Sequence, residues 1–186
     1  PDWMTGDRIP ADAETPTMST PHPTPPTPPR TSLAEGMLDR LLAQSIVLPA
    51  EWEELSAADR DELGAIPDAE PLIVRLSQQQ LLTPFQCEAI RRGLTDELVL
   101  GHYRLLAMIG QGGMGSVYRA EHVFLRRQVA VKVMSRTYAA NARLLHRFYA
   151  EAQAVAKLQH PNIVGCLDAG RHGSTEGTMR DYFVME

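Results

Sequence analysis

The sequence has no run of basic residues, few cysteines and no long apolar stretch, and each absence removes a class of function. Lysine and arginine number 18 against 23 aspartates and glutamates, for a formal net charge of -5. A chain of that sign without a Lys/Arg run is poorly suited to coating nucleic acid. The longest apolar stretches fall well short of the roughly 20 residues a membrane helix needs. No charged segment followed by an apolar one opens the chain, so no secretory signal is expected. The two cysteines, Cys87 and Cys166, lie far apart without metal-ligand spacing. Two reduced thiols in a cytoplasmic protein are the expectation. The 6 histidines have no H-x-x-x-H or C-x-x-C partner, which argues against a zinc site. Residue 1 is Pro1 rather than methionine, which suggests a fragment or a translation extended upstream; Met4 and Met18 are both available as starts.

What is present falls into three compositional zones. Nine of the 14 prolines occur within the first thirty residues, and Thr15 to Thr31 is almost all Pro, Thr and Ser. So few apolar side chains cannot offset the entropy of ordering, and residues 1–31 read as a disordered tail. Pro23 to Pro29 contains a PxxP string, a pattern common by chance. From Ser32 the pattern turns helical. Leu33, Met37, Leu38, Leu41 and Leu42 recur at helical spacing, with Thr31 or Ser32 available as N-cap. Pro49 opens a short helix through Trp52 and Leu55, Ser56 precedes another ending at Leu63-Gly64, and a fourth starts near Asp68. Thr83-Pro84 has the form of N-cap and first helical residue, with Gly93 placed as a left-handed C-terminal residue. Residues 32–94 therefore predict a small all-helical domain, and residues 95–102 a linker. Between 51 and 70 lie Glu51, Glu53, Glu54, Asp59, Asp61, Glu62, Asp68 and Glu70 against Arg60, a poor surface for phosphates. Protein docking or scaffolding is the default for this part.

From Tyr103 strands take over. Tyr103–Ile109, Ser116–His122 and Gln128–Met134 predict strands, Ala140–Leu158 a helix broken before Pro161, and Ile163–Ala169 and Asp181–Met185 two more strands. That order is not the alternation of a parallel doubly wound sheet. Between the first two strands Ile109-Gly110-Gln111-Gly112-Gly113-Met114-Gly115-Ser116-Val117 contains G-x-G-x-x-G-x-V. A dinucleotide fingerprint would open a helix and place an acidic residue about 20 positions on. Here a strand follows, and the later stretch holds Lys132 and Val133. Glycines between two strands instead let the backbone lie over a polyphosphate and point N–H groups at its oxygens. An ordinary hairpin turn is the plain alternative. In Val129-Ala130-Val131-Lys132 the strand alternation puts Ala130 and Lys132 on one face. There a small residue leaves room for a flat ring and the lysine can reach phosphates. The seventeen positions from Gly115 to Lys132 suit a strand, a turn and a second strand. Glu151 lies beside an inward helical stripe of Phe148, Ala152, Val155 and Leu158. A glutamate placed there needs a cation, and Lys132 is available.

These elements together resemble the N-lobe of the eukaryotic-like Ser/Thr protein kinases of bacteria. The resemblance covers residues 101–186. It rests on Ile109–Val117, Val129–Lys132, the F-x-x-E-A setting of Glu151, His160–Val164 and Tyr182–Glu186. Leu81–Gln86 leading into Leu98–Tyr103 also resembles the leader of some large bacterial kinases. The implied fold is α+β, a protein-kinase N-lobe of a five-stranded antiparallel sheet plus one αC-type helix, spanning 103–186. The resemblance implies that the loop from Ile109 and Gly110 through Gln111, Gly112, Gly113, Met114, Gly115 and Ser116 covers the ATP triphosphate. It implies that Val117 and Ala130 line the adenine pocket, and that Lys132 holds the α- and β-phosphates while pairing with Glu151. Met185 falls at the gatekeeper position and Glu186 at the first hinge residue.

No H-R-D, D-F-G or A-P-E string occurs in the sequence. In the family those carry the base that orients the substrate hydroxyl and the ligands of Mg²⁺, so the Mg²⁺ of a complete enzyme would be held elsewhere. The chain is therefore expected to be a piece of a longer kinase and inactive alone, binding ATP weakly. The protein substrates stay open. A nucleotide-binding pseudokinase or scaffold module with a helical docking domain is the alternative, against which the intact Lys132 and Glu151 weigh.

Overall fold

The computed structural model describes residues 33–158, 160–173 and 177–186. The Pro/Thr-rich tail and the proposed caps Thr31 and Ser32 lie outside the described residues. Five helices come first: α1 (Leu33–Ala43), α2 (Pro49–Glu53), α3 (Ala57–Gly64), α4 (Ala69–Gln78) and α5 (Pro84–Arg91). At α3 and α5 a side chain satisfies free N–H groups of the first turn. The Ser56 hydroxyl accepts from Asp59 N at 3.1 Å. At α5 the Thr83 hydroxyl accepts from Gln86 N, and Gln86 Oε1 accepts from Thr83 N in return, a reciprocal capping box. Gly93 closes that helix at φ 72°, a conformation glycine adopts without steric cost. The helices bury Leu41, Ile46, Leu63, Leu72 and Leu76 together with Leu98 from the following segment. Each such leucine contributes about 2 kcal/mol relative to an exposed one.

Residues 95–102, expected as a linker, form a 3₁₀ turn (Thr95–Glu97) and a short strand, β1 (Val99–Leu100). Then come β2 (Tyr103–Gly112), β3 (Gly115–His122), β4 (Gln128–Met134), α6 (Arg136–Ala139), α7 (Ala142–Ala156), β5 (Cys166–Gly173) and β6 (Met179–Met185). The strands form one antiparallel sheet in the order β1-β2-β3-β4-β6-β5, so the expected five are joined by β1 at one edge. On β4 the alternation holds. Val129, Val131 and Val133 point to one face, where they meet Leu100, Leu105, Ala120, Tyr182 and Val184. The other face carries α7, whose Phe148 and Ala152 bury against Phe183 and Met134.

The helical segment covers the first of these faces. Phe85 of α5 packs against that core. Arg104 of β2, 6% exposed, donates to Glu51 of α2, to Glu121 of β3 and to the Ile46 carbonyl. Arg126 adds hydrogen bonds to Glu121 and Glu51. Burial alone would push the Glu121 carboxyl up. Its hydrogen bonds from Arg104 and Arg126 outweigh that and hold it below the ordinary glutamate range.

Several boundaries differ from the sequence reading, and those around the long helix matter most. The long helix starts at Ala142, because Asn141 caps Arg143 N and Leu144 N, and it ends at Ala156. Leu158 thus lies past its end and is 48% exposed, outside the inward stripe. The strand expected from Ile163 begins at Cys166. Pro161, which lacks an N–H, sits inside a turn closed by Ile163 N donating to the His160 carbonyl at 3.0 Å, and Ile163 and Val164 are exposed.

Candidate nucleotide-binding site

The glycine string forms a tighter hairpin than a free loop. β2 and β3 stay paired through Gly110↔Val117, Gln111↔Ser116 and Gly112↔Gly115, which leaves Gly113 and Met114 at the tip. The Met114 carbonyl accepts from Ser135 N at 3.0 Å, tying the tip to the start of α6. Glycine is required at Gly115. Its φ is 154°, and a Cβ there would stand 2.0 Å from the Val133 carbonyl oxygen. At Gly110 and Gly112 a Cβ would meet no close backbone atom, so their absent side chains leave space above the hairpin rather than relieve a clash. Ile109, at a bulge just before Gly110, is 59% exposed.

Next to the hairpin, register lines up the remaining groups. Val117 pairs with Lys132 and Lys132 with Phe183, which sets all three on one face of neighbouring strands. Ala130 pairs with Met185, so the small residue and the expected gatekeeper also share that face. Lys132 Nζ donates to Glu151 Oε1 at 2.8 Å and lies 5.2 Å from the centre of the Phe183 ring. The pair is partly open, with side-chain exposures of 22% and 43%. An ion pair this exposed stabilises by about 0–1 kcal/mol, so orienting the ammonium is its larger effect.

Glu151 is placed by what holds α7 down. Phe148, three residues earlier, packs on Phe183 with ring centres 5.0 Å apart. Tyr149 OH donates to Asp181 Oδ1 at 2.6 Å, and Arg171 Nε donates to the same oxygen at 2.8 Å. Burial pushes the Tyr149 phenol up to about 12, and its bond to Asp181 acts the same way. Glu186, expected at the hinge, donates its N–H to the Gly165 carbonyl at 3.2 Å, while its carboxylate pairs with Arg127 at 2.9 Å.

The structure thus gathers the glycine hairpin, Val117, Ala130, Lys132, Glu151 and Met185 around one face of the sheet. Sequence reasoning missed Phe183, which both seats α7 and underlies Lys132; its position two residues before Met185 carried the signal. Among the described residues no group of three His, Cys, Asp or Glu side chains converges that could hold a metal ion. No helix among them is long and apolar enough to cross a membrane.

The protein kinase domain family matches residues 103–186. Serine/threonine-protein kinase PrkC of Bacillus subtilis is 40% identical over 93 residues, which cover 50% of this chain and 14% of that protein. Serine/threonine-protein kinase PksC of Streptomyces coelicolor is 43% identical over 86 residues, 46% of this chain and 15% of that protein. The crystal structure of the Mycobacterium tuberculosis PknI kinase domain aligns over 47% of this chain and 34% of its own, with 28% identity and a TM-score of 0.37. The chain spans about one seventh of the length of the two curated relatives. Residues 103–186 thus match the protein kinase domain family, and they are similar to the corresponding part of bacterial serine/threonine-protein kinases.

Proposed function

We propose that residues 103–186 bind ATP between the glycine hairpin and Lys132, and that the protein carrying them transfers the γ-phosphoryl group to serine or threonine of proteins. The observation that supports this most is the Lys132–Glu151 pair at 2.8 Å beside the hairpin. In this reading backbone N–H groups of residues 110–115 face the phosphate oxygens, where a Cβ-free backbone allows close approach. The Lys132 ammonium, aimed by Glu151, offsets charge on the α- and β-phosphates. Ala130 and Val117 give the adenine a flat apolar wall, Met185 bounds its depth, and Glu186 meets its edge. Catalysis of this kind rests on positioning and charge stabilisation more than on covalent chemistry by the protein. The Mg²⁺ of the complete enzyme would help neutralise the phosphates from ligands outside these residues.

The test uses the full-length protein and radiolabelled ATP. Lys132→Ala is expected to lower phosphate incorporation into protein by about a hundredfold or more, the scale of losing one preorganised charge. Incorporation at the unsubstituted rate would overturn the role given to Lys132.

A further inference from the structure

The glycine hairpin is held from behind by the helical segment. β2 carries two bulges, at Leu106 and at Ile109, within the four residues before Gly110. A bulged residue drops out of the ladder, and its backbone groups need partners from elsewhere. The Leu106 carbonyl finds one in the helical segment: Thr83 Oγ1 donates to it at 2.7 Å. Thr83 is itself fixed, because the same oxygen accepts from Gln86 N at 3.2 Å and Thr83 N donates to Gln86 Oε1 at 2.9 Å. Gln86 is 1% exposed, so this capping box is anchored in the helical core. The hydroxyl spends a lone pair on the helix and its proton on the strand. Two residues on, the Phe85 ring packs against Tyr118 of β3 with centres 5.7 Å apart, and Tyr118 is the cross-strand partner of Met108. The first turn of α5 therefore holds both strands of the hairpin, a few residues short of the glycines.

We infer that the first turn of α5 is a positioning element for the glycine hairpin, with Thr83 and Phe85 setting where its backbone lies over a bound triphosphate. This rests on the nucleotide reading given above. Neither side chain touches the nucleotide; both act through the strands. Two successive bulges leave β2 without a continuous ladder where the hairpin begins. A contact that fixes them reduces the ordering that binding must supply.

Amide hydrogen exchange and ATP affinity of the full-length protein, measured on Thr83→Asp and Thr83→Ser, test this. Aspartate keeps the helix cap but has no proton to give Leu106, whereas serine keeps both bonds. Thr83→Asp is expected to speed exchange in residues 106–117 about tenfold while leaving residues 166–173 and 179–185 unchanged. It is also expected to weaken ATP binding about fivefold, the worth of one net hydrogen bond. Thr83→Ser is expected to restore both. The inference is overturned if hairpin exchange does not change, if exchange rises equally across all strands, or if the hairpin loosens and ATP affinity stays the same. Lys132→Ala measured alongside separates the two ideas. If it leaves ATP affinity intact the nucleotide reading falls, while the exchange data still decide whether Thr83 grips the strand.

Discussion

Replacing Arg104 by methionine should loosen the helical segment from the sheet, and the cost follows from the charges at that junction. Two cations, Arg104 and Arg126, face two carboxylates, Glu51 and Glu121, in a balanced set. Arg104 is almost fully buried, while the Arg126 side chain is 46% exposed. Methionine fills much of the arginine stem's volume but leaves the buried Glu121 and the partly buried Glu51 sharing one half-solvated cation. Removing one partner of such a buried network costs about 3–5 kcal/mol, because the surviving charge keeps its desolvation penalty. For a chain of this size that lowers the thermal midpoint by roughly 10 °C. The pH dependence gives a second handle. In the wild type the Glu121 carboxyl is held low, so its contribution is present above the ordinary glutamate value. It is lost as pH falls through the lowered one. Without Arg104 the burial that raises Glu121 is less opposed, and protonation relieves the variant. Its deficit should therefore shrink between pH 7 and about pH 4. Thermal unfolding followed by circular dichroism, with Glu51→Gln and the double variant completing a cycle, reads all of this. A deficit under about 1 kcal/mol at pH 7, or strictly additive single variants, would refute the reasoning.

Two further outcomes follow from the geometry of the lobe. Gly115→Ala is expected to cost about 2 kcal/mol or more, since its Cβ would overlap the Val133 carbonyl at φ 154°. Gly112→Ala, with open space around it, should stay within about 1 kcal/mol in nucleotide-free thermal unfolding. Equal costs for the two would contradict the hairpin geometry. Tyr103 is pushed up to about 12 by burial and then by its hydrogen bond to Asp168, and Tyr149 likewise by burial and Asp181. Burial also raises Tyr182. Because the fold favours the neutral phenols, the stability they contribute is complete below the ordinary tyrosine value of about 10 and is lost as pH climbs beyond it. Absorbance at the phenolate band should show these three ionising late, together with alkaline unfolding. Ionisation of all five tyrosines near pH 10 in the folded chain would contradict the burial.

Local chemistry carried much of this architecture into the sequence. Thr83, Pro84 and Gln86 announce the start of α5 because a capping box is a short-range device, and Gly93 marks its end for the same reason. The alternation of Val129 to Met134 places Lys132 and Ala130 on a common face without knowledge of the partner strands. The need of Glu151 for a cation beside its apolar stripe points to Lys132, and the two stand 2.8 Å apart. What stayed hidden is long-range. Arg104 reads as an ordinary strand arginine, since nothing local shows that Glu51, more than fifty residues earlier, will meet it. The bulges at Leu106 and Ile109 leave no composition signal, so the grip of Thr83 on β2 is invisible until the strands are paired. Residues 95–102 read as a linker because a two-residue strand is too short to show a period. Leu158 continues the helical spacing on paper, but the helix ends two residues before it.

The most direct test of the central claim compares the two lysines of these 186 residues, Lys132 and Lys157. An acyl-phosphate derivative of ATP transfers its acyl group to an amine lying beside the bound phosphates, and peptide mass spectrometry then locates the label. The full-length protein is expected to carry the label on Lys132, to lose it when excess ATP competes, and to show no such competition at Lys157. Lys132 left unlabelled, or labelled equally with and without ATP, would contradict a triphosphate held between the glycine hairpin and that lysine.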